Sequence, residues 1–274
     1  MSPTFTDRRR ALDQSLRAHP TLLVAFSGGV DSSALLAAAV RALGAPAVLA
    51  VTADSPSYPD SDRRDARACA AALGVEHVFV ATREAENPLY AMNDSSRCYH
   101  CKTELFSVLE PMRAERGLSA IAYGEIADDA SDFRPGQRAA HERGVLAPLR
   151  DAGFTKDDCR ELLRREGFAA LAEKPASACL SSRVPYGMPV VPQTLRRIGI
   201  CEEFLRGRGY RTVRVRHHDT VARLELDADG IRRLLDPEER AVICAYLKSQ
   251  GYSYVTLDLQ GYRTGSLNET LRST

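Results

Sequence analysis

The residues with the clearest chemical meaning follow the first apolar run of the chain. Ser27-Gly-Gly-Val-Asp-Ser-Ser33 comes directly after the run 21–26 and opens a segment with helical spacing. Glycines allow a ligand to approach the backbone closely, and a helix start offers N–H groups and a partial positive charge to an anion. Asp31 is compatible with phosphate when a Mg²⁺ bridges the two. An ordinary glycine-rich turn with a Ser or Asp cap is the alternative. The predicted phosphate-binding residues are Ser27, Gly28, Gly29, Asp31, Ser32 and Ser33.

Three of the seven cysteines lie outside apolar helical runs. Cys98 and Cys101 are separated by two residues in what we predict to be a polar connection, so both sulfurs can face one ion. Zinc, a redox dithiol, an iron–sulfur cluster and no function at all remain open for this pair. Structural zinc is disfavoured, because it needs four ligands and no second CxxC or HxxxH exists in the chain. Cys179 lies in a Ser/Pro/Gly segment near cationic residues, a setting typical of a reactive thiol. Three thiolates on a cubane cluster leave its fourth iron open to another ligand.

The pattern of the chain changes after about residue 185. Before it, apolar strands alternate with helices, which predicts an α/β domain with a parallel sheet covered on both faces. After it, two alternating strands separated by three residues predict an antiparallel hairpin in a small α+β domain. We therefore predict two domains, 1–185 and 186–274. The predicted strands are 21–26, 47–52, 77–81, 120–123, 212–217, 221–226 and 254–259, and the predicted helices are 31–43, 59–73, 103–115, 155–165, 192–207, 229–235 and 237–249.

Composition and charge narrow the possible partners. The formal net charge is +1, so we do not expect the chain as a whole to bind nucleic acid by electrostatic attraction. No stretch approaches the roughly 18 apolar residues that cross a bilayer, and no membrane partner is expected. The first ten residues have no apolar core behind their basic residues, which is unlike a signal peptide. We expect a cytoplasmic protein.

The glycine loop lacks the Lys of a Walker-type loop and instead resembles the pyrophosphatase loop (PP-loop), SGGxDS. Further segments resemble the LarE family, the ATP-dependent sulfur transferases of nickel-pincer nucleotide cofactor synthesis. These segments are RCYHCK (97–102), GEIADDASDFRPG (124–136), ACLSSRVPYG (178–187), TVRVRHH (212–218) and YVTLDLQGYRTGSLN (254–268). The resemblance covers most of the chain and implies a Rossmann-like PP-loop domain, similar to adenine nucleotide alpha hydrolases, followed by the small domain.

The resemblance also implies a reaction. Members adenylate a carboxylate of pyridinium-3,5-biscarboxylic acid mononucleotide, release pyrophosphate, and let sulfur displace AMP, so that two carboxylates become thiocarboxylates over two rounds. The expected cofactors are ATP, Mg²⁺ and a 4Fe–4S cluster, because the CxxC together with Cys179 resembles the cluster-containing branch. Cys98, Cys101 and Cys179 would hold the cluster, and Cys179 and Asp31 are the predicted catalytic residues. In the other branch, the single cysteine gives up its own sulfur, and Cys179 would then be that donor.

Further site residues follow from the same resemblance. Residues 51–54 would flank the adenine, with Thr52 as the candidate contact. Arg214 and Arg216 leave one face of a predicted strand and suit the phosphate of the substrate, although a solvated face with Arg–Glu pairs is the alternative. Weaker candidates are Glu202, Glu225, Asp128, Asp132 and Arg134.

Three other functions compete with this interpretation. A tRNA thiolase with a PP-loop and three cysteines would need a polyanion-binding surface, which the neutral charge does not favour. A PP-loop ligase that forms an amide would need no thiols, and a nucleotide-binding module without activity would not turn over ATP. The expected partner is a small-molecule nucleotide, a homo-oligomer is expected by resemblance, and the sequence does not identify the sulfur donor.

Overall fold

The computed structural model describes residues 3–131, 135–175 and 178–263, which form two compact units. Unit 1 comprises Met1–Ser55, Asp62–Tyr90 and Ser95–Ser177. Unit 2 comprises Pro56–Ser61, Ala91–Asp94 and Ala178–Thr274. Unit 2 thus begins its main segment before the boundary predicted between residues 185 and 186. It also includes two short segments from the first half of the chain.

Unit 1 contains a parallel sheet and most of the helices. Its strands are β1 (Leu22–Ala25), β2 (Val48–Asp54), β3 (Glu76–Ala81) and β4 (Ala120–Tyr123). The helices from the N-terminus to residue 175 are α1 (Phe5–Arg17), α2 (Val30–Leu43), α3 (Asp60–Ala72), α4 (Pro88–Ala91), α5 (Arg97–Glu115), α6 (Pro135–Glu142), α7 (Pro148–Asp151), α8 (Lys156–Arg165) and α9 (Ala169–Ala172). The strand order is β3-β2-β1-β4, and every pairing is parallel. The predicted α/β fold is confirmed.

Alternating residues of the strands belong to two hydrophobic clusters, one on each face of the sheet. Leu22 and Val24 of β1 pack in a cluster with α1, α2 and α8, whereas Leu23 and Ala25 pack in a cluster that contains Phe106 of α5. Successive side chains of a strand point to opposite faces, so a strand buried on both faces is apolar throughout. That is why the strands were recognisable as continuous apolar runs.

Helix boundaries follow local capping chemistry. The predicted capping box is present at α8, where the Thr155 side chain accepts from the Asp158 N–H and the Asp158 side chain accepts from the Thr155 N–H. Helix α1 was not predicted, although Thr4 and Asp7 form the same box at its start. Its buried residues are only Leu12 and Leu16, so its apolar stripe is narrow.

Unit 2 contains a mixed sheet with helices. Its later elements are α10 (Pro192–Gly207), β5 (Val213–His218), β6 (Val221–Leu226), α11 (Ala228–Arg233), α12 (Pro237–Ser249) and β7 (Tyr254–Leu257). The predicted β5–β6 hairpin is antiparallel, and β7 pairs with β6 in parallel. No helix of the described residues has the length and apolar character to cross a membrane.

A residue from the first half of the chain organises one turn of unit 2. Asn93 is fully buried, and its Nδ2 donates to the carbonyls of Val184, Pro185 and Met188 at 3.3, 2.7 and 2.8 Å. Its own carbonyl accepts from the Gly187 N–H at 3.0 Å. The turn 184–188 therefore depends on a side chain that lies 91 to 95 residues earlier in the sequence.

Candidate functional site

The predicted phosphate loop lies at the carboxyl edge of the parallel sheet, between β1 and α2. Gly28 has a φ of +68°, and a Cβ at this position would lie 3.0 Å from the Cβ of Ala66 on α3. A side chain here would meet both an unfavourable backbone conformation and a collision. The loop therefore requires glycine at this position.

The serine hydroxyls of the loop close it against the first turn of α2. Ser32 Oγ donates to the Gly29 carbonyl at 3.1 Å and lies 3.1 Å from Ser27 Oγ. Gly29 is the N-cap of α2 and offers no side-chain acceptor to the first-turn N–H groups. The positive end of a fourteen-residue helix thus faces the loop, as an anion site requires. Ser33 is fully buried, and its hydroxyl has no hydrogen-bond partner among the described residues.

A lysine that sequence reasoning missed stands beside the loop. Lys156 Nζ lies 2.9 Å from both carboxylate oxygens of Asp31, in the first turn of α2. The Lys156 backbone N–H donates to Asp128 at 2.8 Å, which fixes the start of α8. Asp31 and Lys156 are 125 residues apart, and the only sequence signal for this cation was its position directly after the predicted cap.

A second lysine contacts the loop itself. Lys174 Nζ lies 3.1 Å from the Gly28 carbonyl, 3.1 Å from Asp62 and 2.7 Å from Asp65. Both aspartates are on α3, so Lys174 ties the loop to that helix. Two ammonium groups therefore contact residues of the predicted phosphate loop, Asp31 and Gly28, where their positive charge would favour a polyphosphate.

Thr52, the predicted adenine contact, lies inside the sheet next to the loop. Its side chain is buried, with Oγ1 2.6 Å from the Phe26 carbonyl and 2.8 Å from His77 Nε2. Burial lowers the pKa of His77, and the nearby Arg67 lowers it further. The hydroxyl is therefore held by two protein groups.

The end of β4 makes a close approach to α2. A Cβ on Gly124 would lie 2.8 Å from the Ser32 backbone nitrogen, so only glycine fits here. The next residue, Glu125, is buried, and it accepts from the Tyr123 hydroxyl and from Arg150 at 3.2 Å. Burial raises the pKa of Glu125, although Arg150 opposes the shift. Asp132 and Arg134, predicted in the same loop, lie outside the described residues.

The cysteine pair lies in a helix, which corrects the predicted polar connection. Cys98 and Cys101 are the second and fifth residues of α5, and Cys98 is exposed whereas Cys101 is half-buried. The Tyr99 N–H donates to the Ser96 carbonyl at 2.8 Å and starts the helix without a side-chain cap. Residues three apart in a helix lie on one face, so this turn still presents both thiols together.

Cys179 belongs to unit 2 and is exposed. It precedes the short 3₁₀ turn Leu180–Arg183, and its carbonyl accepts from Ser182 Oγ at 2.8 Å. Arg183 Nη1 donates to the Ala178 carbonyl, also at 2.8 Å. The backbone on both sides of the thiol is therefore fixed, while the side chain remains open to solvent.

A buried ion pair supports this turn. Arg183 Nε and Nη2 donate to the two carboxylate oxygens of Glu202 at 2.8 and 3.0 Å, and Glu202 also accepts from Arg206 and the Val215 N–H. Burial alone would raise the pKa of Glu202, but the charge and hydrogen bonds of Arg183, with Arg206 and the Val215 N–H, hold it below its ordinary value. Glu202, a weaker candidate from the sequence, thus has a structural connection to the Cys179 turn.

The two strand arginines differ in their partners. Arg216 donates to both carboxylate oxygens of Glu225 at 2.9 Å and to the Ser182 carbonyl. Arg214 instead contacts Tyr262, with Nη2 3.0 Å from the hydroxyl and Cζ 4.5 Å from the ring centre. Among the described residues, no carboxylate pairs with Arg214. Burial lowers the pKa of Arg214, and the positive charges of Arg183 and Arg216 add to this effect.

Each of the two units offers thiols that are suitable donors for an iron–sulfur cluster. Cys98 and Cys101 supply two sulfurs from one helical turn of unit 1, and Cys179 supplies one exposed sulfur from a fixed turn of unit 2. Within each unit, the described residues contain no group of three or more His, Cys, Asp and Glu side chains that could hold a metal ion. The donor set of each unit is therefore incomplete by itself.

Comparison with known proteins gives matches to both parts of the chain. A family model described as asparagine synthase matches residues 9–101. A protein of Synechocystis described as uncharacterized is 40% identical over 91% of this chain and 92% of its own length. The pyridinium-3,5-bisthiocarboxylic acid mononucleotide synthase of Lactiplantibacillus plantarum is 34% identical over 98% of this chain and 96% of its own length. The NH₃-dependent NAD⁺ synthetase of Pyrobaculum aerophilum is 32% identical over 57% of this chain and 60% of its own.

Proposed function

The chain belongs to the family of pyridinium-3,5-bisthiocarboxylic acid mononucleotide synthases, and we propose that its substrate is pyridinium-3,5-biscarboxylic acid mononucleotide. It is an ATP-dependent sulfur transferase that releases AMP and pyrophosphate. The observation that carries the proposal is the phosphate loop, where the uncapped end of α2 faces the anion site and Lys156 lies beside it. A simple glycine turn would not need two lysines around it.

The proposed reaction has two steps for each sulfur. A carboxylate oxygen of the substrate attacks the α-phosphorus of ATP, the bond to the β-phosphate oxygen breaks, and pyrophosphate leaves. Sulfide sulfur then attacks the acyl carbon, and AMP departs with the carboxylate oxygen that had bonded to phosphorus. Each round replaces one oxygen by sulfur, and two rounds give the bisthiocarboxylate.

The residues around the loop have distinct tasks in the first step. The N–H groups at the start of α2 bind phosphate oxygens, and Lys156 and Lys174 offset their charge as pyrophosphate leaves. Mg²⁺, when bound, would neutralise phosphate charge, and the Asp31 carboxylate is the group that would hold it. Lys156 Nζ donates to the same carboxylate at 2.9 Å.

Arg214 is the group that we assign to the phosphate of the substrate mononucleotide. It is buried, it has no carboxylate partner among the described residues, and Arg183 and Arg216 add positive charge around it. A buried cation in this setting is stabilised by an anionic ligand, and guanidinium donors match phosphate oxygens. Arg216, whose donors already meet Glu225 and Ser182, contributes its positive charge to the same surface.

We propose that the sulfur comes from a 4Fe–4S cluster held by Cys98, Cys101 and Cys179. This assignment is supported by the thiol donors and by the resemblance to cluster-containing relatives. The cluster, when bound, would present a sulfide on the iron that lacks a cysteine ligand. Use of the Cys179 sulfur itself is the alternative. A cytoplasmic homo-oligomer is a further proposal, supported by the resemblance alone.

One experiment separates these sources. Anaerobic reconstitution with iron and sulfide, followed by Mössbauer spectroscopy, should give a 4Fe–4S signal in the wild type and in Cys244→Ser, which changes a half-buried cysteine of α12. The signal should disappear in Cys98→Ser and in Cys179→Ser. Equal iron binding by a variant that lacks all three cysteines would refute the cluster.

The reaction is tested with ATP, sulfide and the dicarboxylate nucleotide. We expect AMP, pyrophosphate and a product with one or two oxygens replaced by sulfur, detected by mass spectrometry. Mass loss corresponding to H₂S at Cys179 after turnover would establish the sacrificial alternative. Sulfur incorporation into tRNA, with none into the nucleotide, would overturn the proposed substrate.

A further inference from the structure

The residue before the phosphate loop is held through both of its backbone polar groups. The Phe26 N–H donates to the Val51 carbonyl at 2.8 Å, and the Phe26 carbonyl lies 2.6 Å from Thr52 Oγ1. Val51 and Thr52 are adjacent in β2. The last peptide before Ser27 is therefore fixed by one strand, partly through a side chain that is 1% exposed.

The hydrogen-bond donors of this contact can be assigned from chemistry. A carbonyl oxygen only accepts, so the single hydroxyl proton of Thr52 must point to Phe26. Thr52 Oγ1 also lies 2.8 Å from His77 Nε2, and with its proton already used, the oxygen must accept there. His77 consequently carries a proton on Nε2. The result is a directed chain from His77 through Thr52 to the Phe26 carbonyl.

The surroundings hold the imidazole in place. The His77 ring contacts Phe26 edge to face, with ring centres 5.5 Å apart, and packs on Phe79 at 4.6 Å. Burial lowers the pKa of His77, which favours the neutral ring with one N–H to donate. A neutral ring with the proton on Nδ1 would leave two acceptors facing each other at 2.8 Å.

We propose that His77 and Thr52 are positioning residues that fix the phosphate loop for ATP, acting through the Phe26 carbonyl. Thr52 therefore acts on the nucleotide indirectly, since its hydroxyl is buried and already engaged at both its proton and its oxygen. The inference rests on the proposed function only in naming ATP as the ligand.

The hydrogen-bonded chain from His77 through Thr52 to the Phe26 carbonyl is tested by variants that remove or keep each hydrogen bond. Thr52→Val and His77→Phe each remove one donor while keeping most of the shape, and Thr52→Ser keeps the hydroxyl. Calorimetry with Mg·ATP should show the dissociation constant rising about tenfold in Thr52→Val and in His77→Phe, as expected for one buried hydrogen bond. The double variant should lose no more than either single variant, and Thr52→Ser should stay within about twofold of wild type.

A second measurement does not depend on ATP. Nitrogen-15 spectra of the histidine side chains should show the Nε2–H form for His77 in the wild type and a mixture of forms in Thr52→Val. A wild-type Nδ1–H form would overturn the assignment, as would unchanged ATP affinity in both single variants. Urea midpoints identify a variant that is merely unfolded. The test then rests on Thr52→Ser, which keeps the hydroxyl and whose nitrogen-15 spectrum should show the same Nε2–H form of His77 as the wild type.

The two proposals fail in different ways. A protein that binds ATP and shows the expected spectra, but forms no thiocarboxylate, contradicts the proposed substrate and leaves the positioning role supported. A wild-type protein that does not bind ATP at all contradicts both.

Discussion

Gly124→Ala tests whether the phosphate loop depends on the close approach between β4 and α2. The added Cβ would lie 2.8 Å from the Ser32 nitrogen, 2.9 Å from Ser32 Cα and 3.0 Å from the Asp31 carbonyl carbon. All three are backbone atoms, so no side-chain rotation relieves the collision. Ordinary contact begins near 3.4 Å, and the first turn of α2 must therefore move by about 0.6 Å.

That movement has a cost in stability and in ligand binding. Overpacking of a well-packed site destabilises a protein by about 1–3 kcal/mol. The displaced turn also carries the N–H groups that face phosphate, and hydrogen bonds to charged groups are worth about 1.5–3 kcal/mol. We expect Gly124→Ala to lower the free energy of unfolding by about 2 kcal/mol and to weaken ATP binding at least about tenfold.

Urea unfolding and calorimetry with ATP measure the two effects. Gly207→Ala is the matched control, because an added Cβ there meets no atom within 4 Å and the residue lies in α10. Alanine favours a helix over glycine, so this variant should keep or slightly raise the stability. If Gly124→Ala unfolded at the wild-type urea concentration and bound ATP normally, the packing argument would be wrong.

Two further predictions concern unit 2. Glu202→Gln should lower the free energy of unfolding by about 3–5 kcal/mol, measured in urea, because it leaves Arg183 buried without its counter-charge. The stabilisation by Glu202 should be present above the ordinary carboxyl pKa and be lost as the pH falls through the lowered pKa of the folded state. Native alkylation at pH 8 should modify the exposed Cys179 well before Cys201, because burial raises the pKa of Cys201 to about 12. Peptide mass spectrometry measures that order.

A specific result would refute each of these two predictions. The exposed pair of Arg164 and Glu173 is the control for the ion pair, and Glu173→Gln should leave the free energy of unfolding close to that of the wild type. A Glu202→Gln variant no less stable than Glu173→Gln would show that the buried pair stabilises nothing. Alkylation of Cys201 at the rate of Cys179 would show that the core around α10 opens readily.

The sequence predicts those parts of the fold that depend on local patterns. Strand β1 and helix α8 were predicted because a strand buried on both faces is apolar throughout and a capping box lies within four residues. The CxxC turn was placed outside a helix, because α5 begins without a side-chain cap and with polar and aromatic residues around both cysteines. Weak local signals of this kind are decided by tertiary contacts.

In the site as well, features set by local sequence patterns could be predicted and features set by tertiary contacts could not. Gly28 was identified because its chemistry lies within a short motif. Lys156 was not identified, because its role depends on an ion pair across 125 residues. The adenine contact of Thr52 stays a prediction, and the structure adds that its hydroxyl is hydrogen-bonded to the Phe26 carbonyl and to His77. Sequence spacing places a residue near a site, but it does not give the direction of a hydroxyl proton.

The part of the protein that carries Cys179 is not a continuous piece of polypeptide. Asn93 leaves the ribosome long before the turn 184–188 that it must hold, so this turn cannot form until both stretches have been synthesised. A polypeptide that began at residue 178 would lack Asn93 and the segment whose Ser57 carbonyl accepts from the Leu180 N–H. Cleavage near residue 177 would not release an intact second unit, and the thiol next to Leu180 would lose its support although every residue after it was still present.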